Sequence, residues 1–237
     1  MPVKLGVNID HIATLRNARG EGHPDLLKAA HIAIKNGANS LTIHVREDQR
    51  HVKFNDAVLL KKKVKSPINL EMAPTKQMTN FAVKLKPKYV CIVPEKRREV
   101  TTEGGLNLKN KNLKTIIKKL KASRILVSLF INPEKNTIIM ANSLGADAVE
   151  LHTGKYAEAN DADKNTYIEQ IKDASDYANN ISLIVNAGHG LDYTNVKEIA
   201  KIKEINELNI GHSIIAESIF LGLADSIKKM KKIITSN

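Results

Sequence analysis

The chain has 237 residues, of which 42% are hydrophobic and 26% charged, enough apolar material for a sizeable core and unlike a disordered composition. No apolar run approaches the roughly 18–20 residues of a membrane-spanning helix, the opening MPVKLGVNIDH lacks the features of a signal peptide, and the lone Cys91 excludes an internal disulfide or a cysteine-based zinc site. A net charge of +12 invites a nucleic-acid reading, but with no Trp and 4% aromatics there are few stacking platforms, so the expectation is a cytosolic protein that binds neither nucleic acid nor membrane.

Short β-branched runs alternate with amphipathic stretches along the chain. The predicted strands are 4–9 (KLGVNI), 40–45 (SLTIHV), 68–72 (INLEM), 89–93 (YVCIV), 125–131 (ILVSLFI), 148–152 (AVELH), 182–186 (SLIVN) and 207–210 (ELNI). Several are almost continuously apolar, the pattern of parallel strands packed on both faces. A helix is predicted over 25–36, with Asp25 near its start, apolar spacing at Leu26, Ala29, Ala30 and Ala33, and a stop at Gly37. Others follow over 136–144, ending at Gly145, then 166–179, 195–202 and 214–234. Eight strands with intervening helices in about 240 residues predict one (β/α)8 TIM barrel spanning 1–237. No GxGxxG follows the first strand, and no linker marks a second domain. The long connections at 95–123 and 153–165 are candidate lids.

Strands of such a barrel end in polar residues where the C-terminal face builds a site. Here the first strand ends in Asn8, Asp10 and His11, and the second in His44 and Arg46, with His51 close behind. The third carries Glu71 between apolar neighbours, and the sixth carries Glu150 and His152. Asn186 and His189 follow on the seventh, and Asn209, Gly211 and His212 on the eighth. Each alone reads as a satisfied structural residue; as a set at equivalent heights they point to a site. Alternation along the strands turns His44 and Glu71 inward, where desolvation raises a carboxyl toward neutrality and suits it to proton transfer. A metal centre has little support, since the histidines lie on separate strands with no HExxH or His-x-His pair. Lys96 reads as a salt-bridged loop residue rather than a Schiff-base nucleophile, because it lies beyond Pro94.

The anion-binding signals cluster as well. Of the seven arginines, Arg16, Arg19, Arg46, Arg50, Arg97 and Arg98 fall near predicted strand ends, and only Arg124 lies elsewhere. A planar guanidinium suits phosphate and carboxylate groups, so this distribution points to an anionic small molecule. The turn from Asn209 through Gly211 to Ser213 leads into a helix N-terminus, a natural phosphate site, and Gly188-His189-Gly190 supplies a second glycine-bounded turn beside it. A phosphosugar aldolase or isomerase would use one such site.

The motifs GVNIDHIATLRNARG, IHVREDQRH, NLEMA, VPEKRREVTTEGGL, ELHTGKYA, VNAGHGL and ELNIGHSIIA, in that order, closely resemble the pyridoxine 5′-phosphate synthase family over residues 5 to about 230. The resemblance implies condensation of 3-amino-2-oxopropyl phosphate with 1-deoxy-D-xylulose 5-phosphate, through an imine and an aldol-type closure, without metal or organic cofactor. It implies that His44 and Glu71 accept protons, that His189 donates one and that Glu150 stabilises the transition state. Asn8, Arg19, Gly190, Gly211 and His212 match positions that hold the aminoketone phosphate. Asp10, His11, Arg46, His51 and Thr101 match positions that hold the deoxyxylulose phosphate. It further implies a homo-octamer of barrels, for which the segment 20–36 is the expected place of subunit contact.

Overall fold

The computed structural model describes residues 2–95 and 104–236. The β-branched runs form eight strands: β1 (Lys4–Asn8), β2 (Ser40–His44), β3 (Ile68–Met72), β4 (Tyr89–Ile92), β5 (Leu126–Ile131), β6 (Ala148–His152), β7 (Ile184–Gly188) and β8 (Ile205–Ile210). All pair in parallel, and β8 pairs with β1, so one closed barrel comprises every strand. Closure leaves no sheet edge among them. The register sets His44 beside Glu71, Glu71 beside Cys91, and Cys91 beside Ser128 on four consecutive strands.

Eleven helices among the described residues surround the barrel. The first four are α1 (Asp10–Arg19), α2 (Leu26–Lys35), α3 (Phe54–Lys63) and α4 (Lys76–Leu85). Then follow α5 (Leu113–Ala122), α6 (Lys135–Leu144), α7 (Gly154–Glu158) and α8 (Asp161–Asn180). The series ends with α9 (Val196–Ala200), α10 (His212–Leu221) and α11 (Leu223–Thr235). Asp25 caps α2 as its sequence suggests, its carboxylate accepting from the Leu27 and Lys28 amides at 2.8 and 3.0 Å. Three elements differ from expectation. The connection over 153–165 is largely helical: Asn160 caps α8 through the Asp163 amide, and Asp161 and Asp163 favour its positive end. The expected helix over 214–234 is two helices that break at Gly222. Asp10 and His11, expected at the end of the first strand, open α1.

Alternation along each strand separates two environments. Leu5, Val7, Leu41, Ile43, Leu70, Val90, Leu129, Val149 and Leu208 face the helices and form one continuous apolar core. The barrel interior departs from the apolar filling that the strand sequences suggest. Ser40 Oγ donates to Glu207 Oε1 at 2.9 Å, Thr42 Oγ1 donates to Asn209 Oδ1 at 2.9 Å, and Asn209 Nδ2 donates to Glu150 Oε2 at 2.7 Å. Each strand looks apolar overall because its helix-facing half is. The inward half is largely polar, with Cys91 and Phe130 among it, and these three bonds satisfy groups whose burial without partners would cost several kcal/mol.

Gly6 lies where this polar layer is tightest. A Cβ there would collide with Asn209 Oδ1 and come within 3.0 Å of Ser40 Oγ and 3.2 Å of Glu207 Oε1. Gly6→Ala is expected to lower stability by about 2–3 kcal/mol through overpacking. Urea unfolding of the two proteins measures this, and equal midpoints would refute the crowding argument.

Candidate active site

A cavity of about 630 Å³ opens at the C-terminal face of the barrel. Asn8, Asp10, His11, His44, Arg46 and His51 line one side of it. Glu71, Glu150, His189, Gly190, Gly211 and His212 complete the set that the structure brings together. Arg19 does not line the cavity. It ends α1 with its side chain 77% exposed, 3.5 Å from Glu21. Arg16 is likewise structural, held by Asp56 at 2.7 Å. Thr101, with Lys96, Arg97 and Arg98 of the same connection, lies outside the described residues.

The first wall is built where β1 passes into α1. Asn8 Nδ2 donates to Asp10 Oδ2 at 2.8 Å, while Asp10 Oδ1 accepts the His44 amide at 2.8 Å. One carboxylate thus ties the ends of β1 and β2 and fixes where His44 leaves its strand. Burial raises the Asp10 carboxyl, against the opposing influence of His44. Beyond it, His11 and His212 meet edge to face at 5.0 Å, and Thr14 Oγ1 lies 2.7 Å from His51 Nδ1. Burial lowers the pKa of His11 and, with neighbouring positive groups, that of His51 to about 4. Both rings are therefore neutral at pH 7 and offer hydrogen bonds rather than charge. Gly211 presses so closely on Asn8 that a Cβ would lie 2.9 Å from that side chain, which brings the start of α10 against the cavity. The N-terminal amides of α10 then face an anion with favourable dipole sign.

Two further carboxyls line the cavity, Glu71 on β3 beside His44 and Glu150 on β6. Burial, with the charges of Glu150 and Asp10, raises the Glu71 carboxyl well above the ordinary range. Burial likewise raises Glu150, to about 7, despite the hydrogen bond from Asn209. Both carboxyls therefore hold a proton more readily than exposed ones do, and Glu150, at about 7, can take up and return one at physiological pH. His189 follows β7, the strand paired with that of Glu150, and has φ of +87°, a left-handed conformation unusual for a residue with a Cβ. Thr153 holds it there: its Oγ1 lies 2.6 Å from the His189 carbonyl oxygen and 2.8 Å from that of Gly188. The His152 ring packs 4.9 Å from that of His189, with Phe130 on its other side at 5.1 Å.

Sequence reasoning missed Glu95. Its Oε1 lies 2.9 Å from His44 Nε2 and accepts the Ala73 amide at 3.2 Å, while its Oε2 accepts the Glu47 amide at 3.2 Å. The available signal was position, since Glu95 closely follows the fourth strand as the other polar site residues follow theirs. Among the described residues, Asp10, His44 and Glu71 bring metal-ligating atoms within 4.8 Å of one another. Of these, Asp10 and one ring nitrogen of His44 are already committed. Both Asp10 oxygens accept hydrogen bonds, and Glu95 occupies His44 Nε2. The trio therefore reads as a proton-transfer cluster rather than a cation cage.

The buried Glu150 carboxyl generates a stability prediction. Below pH 4.5 it is neutral in both folded and unfolded chains and costs nothing. As pH rises toward 7, the unfolded chain loses the proton first, and folding bears a growing cost that levels off near 3 kcal/mol, on the order of 1.4 kcal/mol per pH unit between 4.5 and about 7. Glu150→Gln is expected to gain stability relative to wild type between pH 4.5 and 8. Parallel pH profiles of unfolding free energy would contradict this.

Comparison with known proteins matches residues 5–236 to the family of the pyridoxal phosphate biosynthesis protein PdxJ. Pyridoxine 5′-phosphate synthase from Sulfurihydrogenibium sp. strain YO3AOP1 is 54% identical over 237 residues, covering 98% of each chain. The synthase of the same name from Coxiella burnetii is 50% identical over 235 residues, again covering 98% of each. Among solved structures, 3-hexulose-6-phosphate synthase superposes with a TM-score of 0.68 at 15% identity, covering 98% of this chain and 99% of that one. Phosphoribosylanthranilate isomerase from Thermotoga maritima gives 0.62 at 14% identity, covering 99% and 100%. These two likenesses establish the barrel fold alone. With its full-length family match and its half-identical relatives, this chain belongs to the PdxJ family.

Proposed function

We propose that the chain is a pyridoxine 5′-phosphate synthase that condenses 3-amino-2-oxopropyl phosphate with 1-deoxy-D-xylulose 5-phosphate. The products are pyridoxine 5′-phosphate, inorganic phosphate and two waters. The observation that carries the reading is that one cavity gathers the carboxyls of Glu71 and Glu150 with the rings of His44 and His189, and a helix N-terminus beside them. A reaction that moves protons on and off carbon, nitrogen and oxygen between two phosphorylated partners needs such an arrangement.

The amine of the aminoketone attacks the ketone of the deoxyxylulose phosphate, and loss of water leaves an imine joining them. His44 and Glu71 accept protons from the joined substrate, and His189 returns one to a departing oxygen. Glu150, held by Asn209, stabilises charge as the ring closes. The aminoketone phosphate lies against Gly211 and His212 at the start of α10, with Asn8 and Gly190 beside it. Arg19 joins these by swinging away from Glu21. Asp10, His11, Arg46 and His51 hold the second substrate, with Thr101 contributed from the fourth connection. No cofactor takes part, because the condensation and the eliminations involve no external oxidant or reductant and are driven by acid–base catalysis.

The chain works as a homo-octamer in the cytosol. Support for assembly comes from Ile219, Phe220 and Leu221 at the end of α10, exposed at 76%, 84% and 44%, and from Leu15 on the adjacent α1, exposed at 57%. Exposed large apolar side chains in one region mark a contact surface, next to the segment 20–36 expected to meet another subunit. Surface lysines such as Lys121, Lys201 and Lys229 pair with Asp147, Glu198 and Glu217, which favours a solvated surface over a nucleic-acid face. No helix among the described residues is long and apolar enough to cross a membrane.

Turnover of the two substrates should release equimolar pyridine product and phosphate, unchanged by a metal chelator. Glu71→Gln should reduce it at least about 10²-fold, the usual contribution of an acid–base group, with the circular dichroism spectrum unaltered. Wild-type rates in that variant would remove Glu71 from the reaction, and absence of product from folded wild type would remove the reaction itself. Light scattering should return the mass of eight chains, and Phe220→Glu should lower it. An unaltered mass would place the contact elsewhere.

A further inference from the structure

We infer that Glu95 is a positioning residue, whose carboxylate keeps the His44 proton on Nε2 and so presents a bare Nδ1 to the substrate. The inference rests on the proposed role of His44 as proton acceptor. A histidine takes a proton only through an unprotonated nitrogen, and which nitrogen is bare depends on what the other one faces. An ionised carboxylate only accepts, so the nitrogen 2.9 Å from Glu95 Oε1 carries hydrogen. The remaining nitrogen, Nδ1, points toward the cavity and lies 3.9 Å from Glu71 Oε2.

Three features make Glu95 suited to this. Its carboxylate is fixed independently of His44, since the Ala73 and Glu47 amides both donate to it from the ends of neighbouring strands. Its side chain is 7% exposed and that of His44 is 9%, so water competes little for the hydrogen bond. Burial opposes ionisation of Glu95, but the hydrogen bond from His44, with the Glu47 amide and Arg46 beside it, leaves its carboxyl below the ordinary range and ionised at neutral pH. Glu95 does not line the cavity and acts only through the imidazole. Asp10 anchors the His44 main chain, not the ring, so among the described residues it is Glu95 that holds ring orientation by a short hydrogen bond. When Nδ1 takes a proton from the substrate, the imidazolium forms against a full negative charge that a neutral amide would not supply. The arrangement matches the general logic by which a carboxylate orients a catalytic histidine.

Glu95→Gln keeps the volume and removes the charge. Its kcat should fall about 10²–10³-fold, with the KM of each substrate within about threefold of wild type. Because Glu95 works through His44, Glu95→Gln introduced into His44→Gln should lower single-turnover rates by less than about threefold further. Imidazole 15N spectra of the wild type at pH 8 should show His44 protonated at Nε2 and bare at Nδ1, a readout independent of activity. Wild-type kcat in Glu95→Gln, fully multiplicative losses in the double variant, or a proton on Nδ1 would each overturn the inference. An inactive His44→Gln beside a fully active Glu95→Gln would overturn the positioning role alone. A fully active His44→Gln would overturn the role of His44 and that of Glu95 with it.

Discussion

The hydrogen bond from Asn209 to Glu150, 2.7 Å long and deep inside the barrel, is the contact around which this structure is arranged. A carboxyl in that position needs a donor, Asn209 needs an acceptor for its amide and a donor for its carbonyl, and Thr42 on β2 supplies that donor. Three strands are thereby tied through their polar faces. Glycine at position 6 is required because no side chain fits beside Asn209. Below this layer, Ser40 satisfies Glu207 in the same way. The stability of the molecule then rests on the apolar belt between strands and helices, which leaves the barrel axis free for polar groups that an apolar filling would have excluded.

That division has electrostatic consequences at the top of the barrel. Burial pushes Glu71 and Glu150 upward, helped by the charge of Glu150 on Glu71 and of Glu207 on Glu150, while burial pushes His11, His51 and His189 downward. The carboxyls are thereby able to hold protons and the imidazoles are left uncharged at neutral pH, the reverse of their ordinary order. The same burial that tunes these groups works against folding. The left-handed backbone of His189, which Thr153 holds in place, is a second local cost at the same place.

The cavity walls also differ in how they are supported. His44 is held at both main chain and ring, by Asp10 and by Glu95, and each of these carboxylates is itself anchored by other donors. His189 is held through its backbone and by packing against the ring of His152. A site whose reacting groups sit on strand ends and whose supports reach across neighbouring strands resists the small displacements that weaken proton transfer.

Much of this was legible in the linear sequence. Period-2 alternation in NLEM and LTIH turns Glu71 and His44 inward whatever the rest of the chain does, and eight β-branched runs with helices between them admit few closures other than a barrel. Asp25 as a cap and the anion-binding turn at Gly211 follow from local backbone chemistry. The sequence alone therefore determined the fold class, the face that carries the site and most of its residues, because each depends on neighbours close along the chain. It did not determine that the barrel interior carries a buried polar layer or that Glu95 grips His44. Those are facts of pairing between residues far apart along the chain, as in His44 with Glu95 and Ser40 with Glu207. Only the closure of the barrel sets which side chains share a layer, so only the tertiary structure could decide them.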